Sequence, residues 1–212
     1  RDDLVTGVQT CALPICASSV IPASELGSAG LMIWTTTPWT IPLNRAVVIH
    51  PSNEYVLVKL NFEEGEKFVI VGAGLADSLA QKFGVSHEVI AQFPSQKLSG
   101  HKAKHPIVPG LEVPIILDDS VMLNDGTACV HSAPGCGPED YLIGLKNKLE
   151  IYSPISDDGK YTNEINIPDL AGVPITDGQW AVLKMLKEAG RLIFKTSLKH
   201  SYPHCWRCRN GL

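Results

Sequence analysis

The sequence predicts an α+β domain, β-rich and barrel-like, with a few peripheral helices. Three observations lead there. Short β-branched and aromatic runs recur between turn residues along most of the chain, helical spacing is confined to a few segments, and no internal repeat points to a solenoid. Of the 212 residues 44% are hydrophobic and 19% charged, enough apolar side chain for a core, which argues against disorder.

Residues 1–16, RDDLVTGVQTCALPIC, show no helical or strand period, and the VTGVQTCALPI within them is similar to the translation of a common DNA-sequencing adapter. That segment is set aside as foreign to the domain. Residues 17–28, ASSVIPASELGS, are small and polar and read as a linker. Strands are then expected in AGLMIWTT, AVVIHP, YVLVKL and KFVIVG, separated by turn signals such as Pro51-Ser52-Asn53 and Glu64-Gly65. Leu75, Leu79, Ala80 and Phe83 share one helical face, closed by Gly84. More short strands are expected around 87–93, 105–107, 112–116 and 119–123.

GTACVHSAPGCGPEDY runs from a strand through a glycine-rich turn into a helix start. Pro138 suits the first turn, where its missing N–H costs nothing, and Glu139 and Asp140 meet the positive end of the helix dipole. Residues 150–176 read as loop, with a turn at Asp157-Asp158-Gly159. Trp180 to Ala189 has helical spacing and stops at Gly190, and LIFKTSL follows as a strand. The domain is bounded at residues 29–197, with 198–212 as a separate short segment.

A net charge of −4 excludes a globally basic surface, so any nucleic-acid contact is local or supplied by another domain. No run approaches eighteen uninterrupted apolar residues, so no membrane span is expected and the composition suits the cytoplasm. The six cysteines are expected as reduced thiols or as a metal site, because a chain of this size needs no disulfide framework.

Three constellations carry chemistry. In LMIWTTTPWTIPLNR an apolar run stops at Thr35, Thr36 and Thr37; Pro38 removes a backbone donor and turns the chain. Hydroxyls and free amides there form a rim suited to a polar, uncharged target, although β-propensity followed by a turn is the commoner explanation of an arbitrary threonine run. The second pairs His131, at a strand end, with Asp140 at a helix start; a carboxylate there can hold an ammonium, and the imidazole can limit a ligand's size. Read alone, each is also an ordinary strand-end histidine and capping aspartate. The third is HSYPHCWRC, where Cys205 and Cys208, with His204 nearby, make half of a tetrahedral zinc site that this sequence does not complete.

Taken together, WTTTPWTIPLNRAV, GTACVHSAPGCGPEDY and HSYPHCWRC resemble, in order and separation, the editing insertion of the isoleucyl-tRNA synthetases and its return into the catalytic core. The resemblance covers residues 29–212. It implies hydrolysis, by a positioned water, of valine wrongly esterified to the 3′ end of the tRNA for isoleucine. A pocket shaped for isoleucine discriminates against valine by only about 1–3 kcal/mol, a magnitude already known for this family, so a second site has to remove the error.

By that resemblance Asp140 grips the substrate ammonium, His131 refuses the extra methylene, and Thr36 and Thr37 position ester and water. Thr35, Trp39, Thr40, Asn44 and Gly135 complete the binding rim. The hollow between these walls is expected to fit a branched three-carbon side chain and no more. Editing needs no cofactor; ATP and Mg²⁺ belong to a catalytic core that this sequence lacks, and zinc at Cys205 and Cys208 needs ligands from elsewhere. The partners implied are the aminoacylated tRNA and that core, in a monomeric parent.

Two departures from the family stand out: Gly126-Thr127-Ala128 where GTG is common, and Gly135-Cys136-Gly137 where Gly-His-Gly is common. The second leaves a non-hydrolytic module for the aminoacylated 3′ end as an alternative, and a zinc knuckle at Cys205 and Cys208 leaves another, a mainly structural insertion tied to the core.

Overall fold

Two open sheets carry the fold in this computed structural model, which describes residues 4–15, 29–200 and 206–207. The larger has six strands in the order β10-β1-β2-β5-β4-β6, built from β1 (Leu4–Pro14), β2 (Gly30–Thr35), β4 (Glu54–Phe62), β5 (Gly65–Gly72), β6 (Ser86–Pro94) and β10 (Leu192–His200). The smaller has four, β7 (Lys102–Lys104), β8 (Glu112–Leu117), β3 (Ala46–Ile49) and β9 (Cys129–Ser132), in that order. The expected α+β class holds, but neither sheet closes on itself, and the barrel is corrected to two separate sheets.

The central strands show why they are central. Every residue of β3 is buried, and β2 is buried along its length except at Trp34. Such runs have no polar face to turn outward, and each strand is flanked by two neighbours. β4 and β5 join through Glu63 and Glu64, with Phe62 opposite Gly65, whose φ of +128° a side chain would resist. Helix α1 (Ala76–Phe83) buries Leu79, Ala80 and Phe83 and ends at the expected Gly84, φ +70°. Helix α3 (Ile175–Glu188) buries Val182, Leu183 and Leu186 and begins five residues before the expected Trp180. Helix α2 (Pro138–Lys146) begins at the expected proline.

Four other expectations need correction. Residues 4–14, expected to stand outside the domain, form β1, paired antiparallel to both β2 and β10, and Cys11, Leu13 and Ile15 are fully or almost fully buried. Cys11, Ala12 and Leu13 are all buried, so the segment shows no alternation there, which is the signal sequence reading looks for. The strand expected at 105–107 lies at Lys102–Lys104 instead. Residues 119–123 are turn and bend, because the Asp118 carboxylate accepts the Ser120 N–H at 3.1 Å and folds the backbone into a turn. β9 starts only at Cys129, since Gly126 (φ +63°) and Ala128 (φ +56°) are left-handed and interrupt the extended run. The linker expected at 17–28 lies outside the described residues.

Candidate functional site

β2 delivers the threonines. It ends at Thr35, whose Oγ1 accepts the Thr37 N–H at 3.0 Å, and Pro38 opens a 3-10 helix over Pro38–Leu43. Thr40 donates its hydroxyl to the Thr37 carbonyl at 2.9 Å, tightening the turn. Two buried side chains hold this helix from outside. The Tyr161 hydroxyl donates to the Trp39 carbonyl at 2.7 Å. His105 Nδ1 accepts the amides of Ile107 and Val108 at 3.2 and 3.0 Å, so its Nε2 carries the proton and donates to the Ile41 carbonyl at 2.9 Å. Burial lowers the His105 pKa to about 4, which matches an imidazole fixed in its neutral form.

β9 delivers the histidine. His131 pairs with Val47 of β3, is 8% exposed, and places Nε2 3.1 Å from Thr40 Oγ1. The only hydroxyl hydrogen of Thr40 already goes to Thr37, so Nε2–H must be the donor to Thr40. His131 is therefore the Nε2–H tautomer, and its buried Nδ1 has no partner among the described residues. Burial lowers its pKa, with the Asp140 charge acting weakly the other way.

α2 delivers the carboxylate. Asp140, in the first turn, accepts the Ala133 N–H on Oδ2 at 2.9 Å, which ties the helix start to the end of β9. Thr35, Thr36, His131 and Asp140 then line one cleft of about 290 Å³, together with Trp34 and the loop between β8 and β9. This volume is roughly that of ten waters at ~30 Å³ each. It exceeds a branched three-carbon side chain.

The arrangement does not pair His131 with Thr40 as base and nucleophile. A base must present a lone pair to the hydroxyl it deprotonates, whereas His131 presents Nε2–H to Thr40 and leaves Nδ1 unpaired. A carboxylate, an imidazole fixed in its neutral form and hydroxyls at a strand end have the chemistry to bind an ammonium and to orient water.

The other expected residues fall around the cleft. Thr37 and Thr40 stand behind it, one hydrogen bond away from Thr35 and His131. Trp39, Asn44 and Gly135 do not line it. Asn44 is 1% exposed, with its Oδ1 unpartnered among the described residues. Gly135 has a packing role: a Cβ there would collide with the Tyr152 carbonyl oxygen, and Arg45 stacks 3.9 Å over the Tyr152 ring. Cys136 also lies off the cleft, its thiol pushed up to about 11, mainly by burial. Cys205 and Cys208 lie outside the described residues.

Sequence reasoning missed Ser120, Met122 and Asp125 in the cleft wall. The sequence reads 119–123 as a strand, and nothing local to that segment says where the loop folds. No helix among the described residues is long and apolar enough to cross a membrane.

The fold is that of the editing domains of aminoacyl-tRNA synthetases. The editing domain of the P. knowlesi cytosolic leucyl-tRNA synthetase superposes with a TM-score of 0.64, over 93% of this chain and 98% of that one, at 11% identity. Its P. falciparum counterpart gives 0.61 over 79% and 78%, also at 11% identity. The chain itself belongs to the isoleucine–tRNA ligase family. It is 42% identical over 193 residues to the enzyme of Nitratidesulfovibrio vulgaris (strain DP4), covering 91% of this chain and 20% of that one. It is 45% identical over 179 residues to that of Fervidobacterium nodosum (84% and 19%) and 40% over 192 to that of Geobacter sulfurreducens (91% and 20%). The chain thus spans about one fifth of the length of these relatives. No family model matches it.

Proposed function

We propose that this chain is an editing domain that hydrolyses the ester between valine and the 3′ end of the tRNA for isoleucine. The observation that carries the reading is that Asp140 and His131, from α2 and β9, share one cleft with Thr35 and Thr36 from the end of β2. Asp140 binds the α-ammonium, which is costly to desolvate without an opposite charge. His131, neutral and fixed by Thr40, presents a rigid wall to the side chain. The threonine hydroxyls and turn amides orient water and the ester, and orientation with hydrogen-bonding to the developing oxyanion supplies the rate. In the same proposal, the rest of a full-length ligase would charge the tRNA with isoleucine using ATP and Mg²⁺, and Cys205 and Cys208 would hold zinc with ligands from beyond this sequence.

The test is to incubate the chain with valyl- and isoleucyl-tRNA for isoleucine. Selective loss of the valyl ester supports editing. Asp140→Asn keeps an acceptor for the Ala133 N–H but removes the charge, and should slow deacylation about a hundredfold, equivalent to roughly 3 kcal/mol. Binding of both esters without turnover would favour the non-hydrolytic module instead, the reading that Cys136 in the Gly-Cys-Gly loop suggests.

A further inference from the structure

A second groove shares no lining residue with the cleft and has a different chemistry. It runs between α3 and the start of β10, with a volume of about 520 Å³. Leu183, Leu192 and Phe194 form an apolar floor, and Lys184, Lys187 and Lys195 stand along it against a single acid, Glu64. Trp180 is 53% exposed at its edge, with Lys195 Nζ 4.7 Å from the ring centroid. The chain carries −4 overall, so three lysines against one glutamate mark a local reversal of sign. Lys184 meets Glu188 only at 3.8 Å, with both side chains largely exposed, an ion pair worth little. Lys187 has no ion-pair partner among the described residues.

We propose that this groove is a docking track for an RNA sugar–phosphate strand, with the lysines on successive phosphates and Trp180 offering a ring on which an unpaired base stacks. The features match what single-stranded nucleic acid requires: a cationic groove that follows the backbone and an accessible aromatic face. A protein partner would more often meet such an apolar floor with few lysines, which are depleted at protein interfaces. The proposal rests on the editing reading for its physiological ligand, the tRNA whose end enters the cleft, but not for its test.

The experiment measures binding of unacylated tRNA to the intact chain by tryptophan fluorescence across a salt series, for the natural sequence, for Trp180→Phe, and for the triple variant Lys184→Gln, Lys187→Gln, Lys195→Gln. Expected are a quench that Trp180→Phe largely removes, and an affinity that the triple variant lowers at least tenfold, with the log–log salt slope reduced by about 2. Unchanged affinity and slope in the triple variant would overturn the proposal, as would absence of binding up to about 100 μM, the weak end of non-specific affinity. Hydrolysis of a short aminoacyl-adenosine ester separates the two readings. The triple variant should cleave it at the natural rate, and failure of every version to cleave it would count against editing while leaving the tRNA result to judge the groove.

Discussion

His131 donates its Nε2–H to the Oγ1 of Thr40 at 3.1 Å, a buried hydrogen bond between residues 91 positions apart in sequence. It joins the two walls of the cleft, one carried by β9 and the other by the turn after β2. Thr40→Val keeps the shape and removes the acceptor, stranding a buried N–H. The expected cost is about 1–3 kcal/mol in denaturant unfolding, with Thr40→Ser close to the natural protein. Equal stability of the two variants would show that the contact does not form.

Ala128 sits at φ +56°, where an alanine is strained and a glycine is not. Ala128→Gly should therefore raise stability by about 1 kcal/mol, the relief of left-handed strain less the added freedom of the unfolded chain. A thermal melt reads it, and a lower melting temperature would contradict the backbone geometry.

Gly135→Ala should have the opposite sign. The added methyl would meet the Tyr152 carbonyl, which is backbone and cannot swing aside. A loss of about 1–3 kcal/mol in unfolding free energy is expected from such overpacking. Deacylation should fall with it, because the segment that moves adjoins Ala133, the donor to Asp140.

Stability should decline in mild acid. His105 has its pKa lowered by burial to about 4 from 6.5, and His131 is lowered as well. The unfolded chain takes up these protons first, so the stability they contribute is complete above about pH 6.5 and is lost as pH falls toward 4. For His105 alone this is about 3 kcal/mol, at 1.36 kcal/mol per unit. His105→Gln should flatten the decline in urea midpoint between pH 6.5 and 4; a slope identical to that of the natural protein would exclude His105 as its source.

Cys136→His should keep or raise deacylation. Cys136 stands off the cleft with a thiol too basic to ionise near neutral pH. A large loss of rate would mean that the Gly-Cys-Gly loop approaches the ester more closely than its position here shows.

By itself, the sequence determined most of the local structure and singled out four residues that line one cleft. β2, β3, β4, β5 and α1, and the start of α2 at Pro138, were legible because periodicity, capping and turn chemistry act over a few residues. Thr35, Thr36, His131 and Asp140 were legible as a set only through the order and spacing of three motifs, since each alone has an ordinary structural explanation. Tertiary structure decided the rest. It left the sheets open, drew residues 4–14 into the larger one, and turned the loop at Ser120 and Asp125 into a wall of the cleft. It also packed Gly135 closely against Tyr152. These outcomes depend on contacts between residues far apart in the chain, such as Thr10 with Trp34 and Val47 with His131. Backbone pairing of that kind is nearly indifferent to side-chain identity, so it leaves little trace in the sequence of either strand.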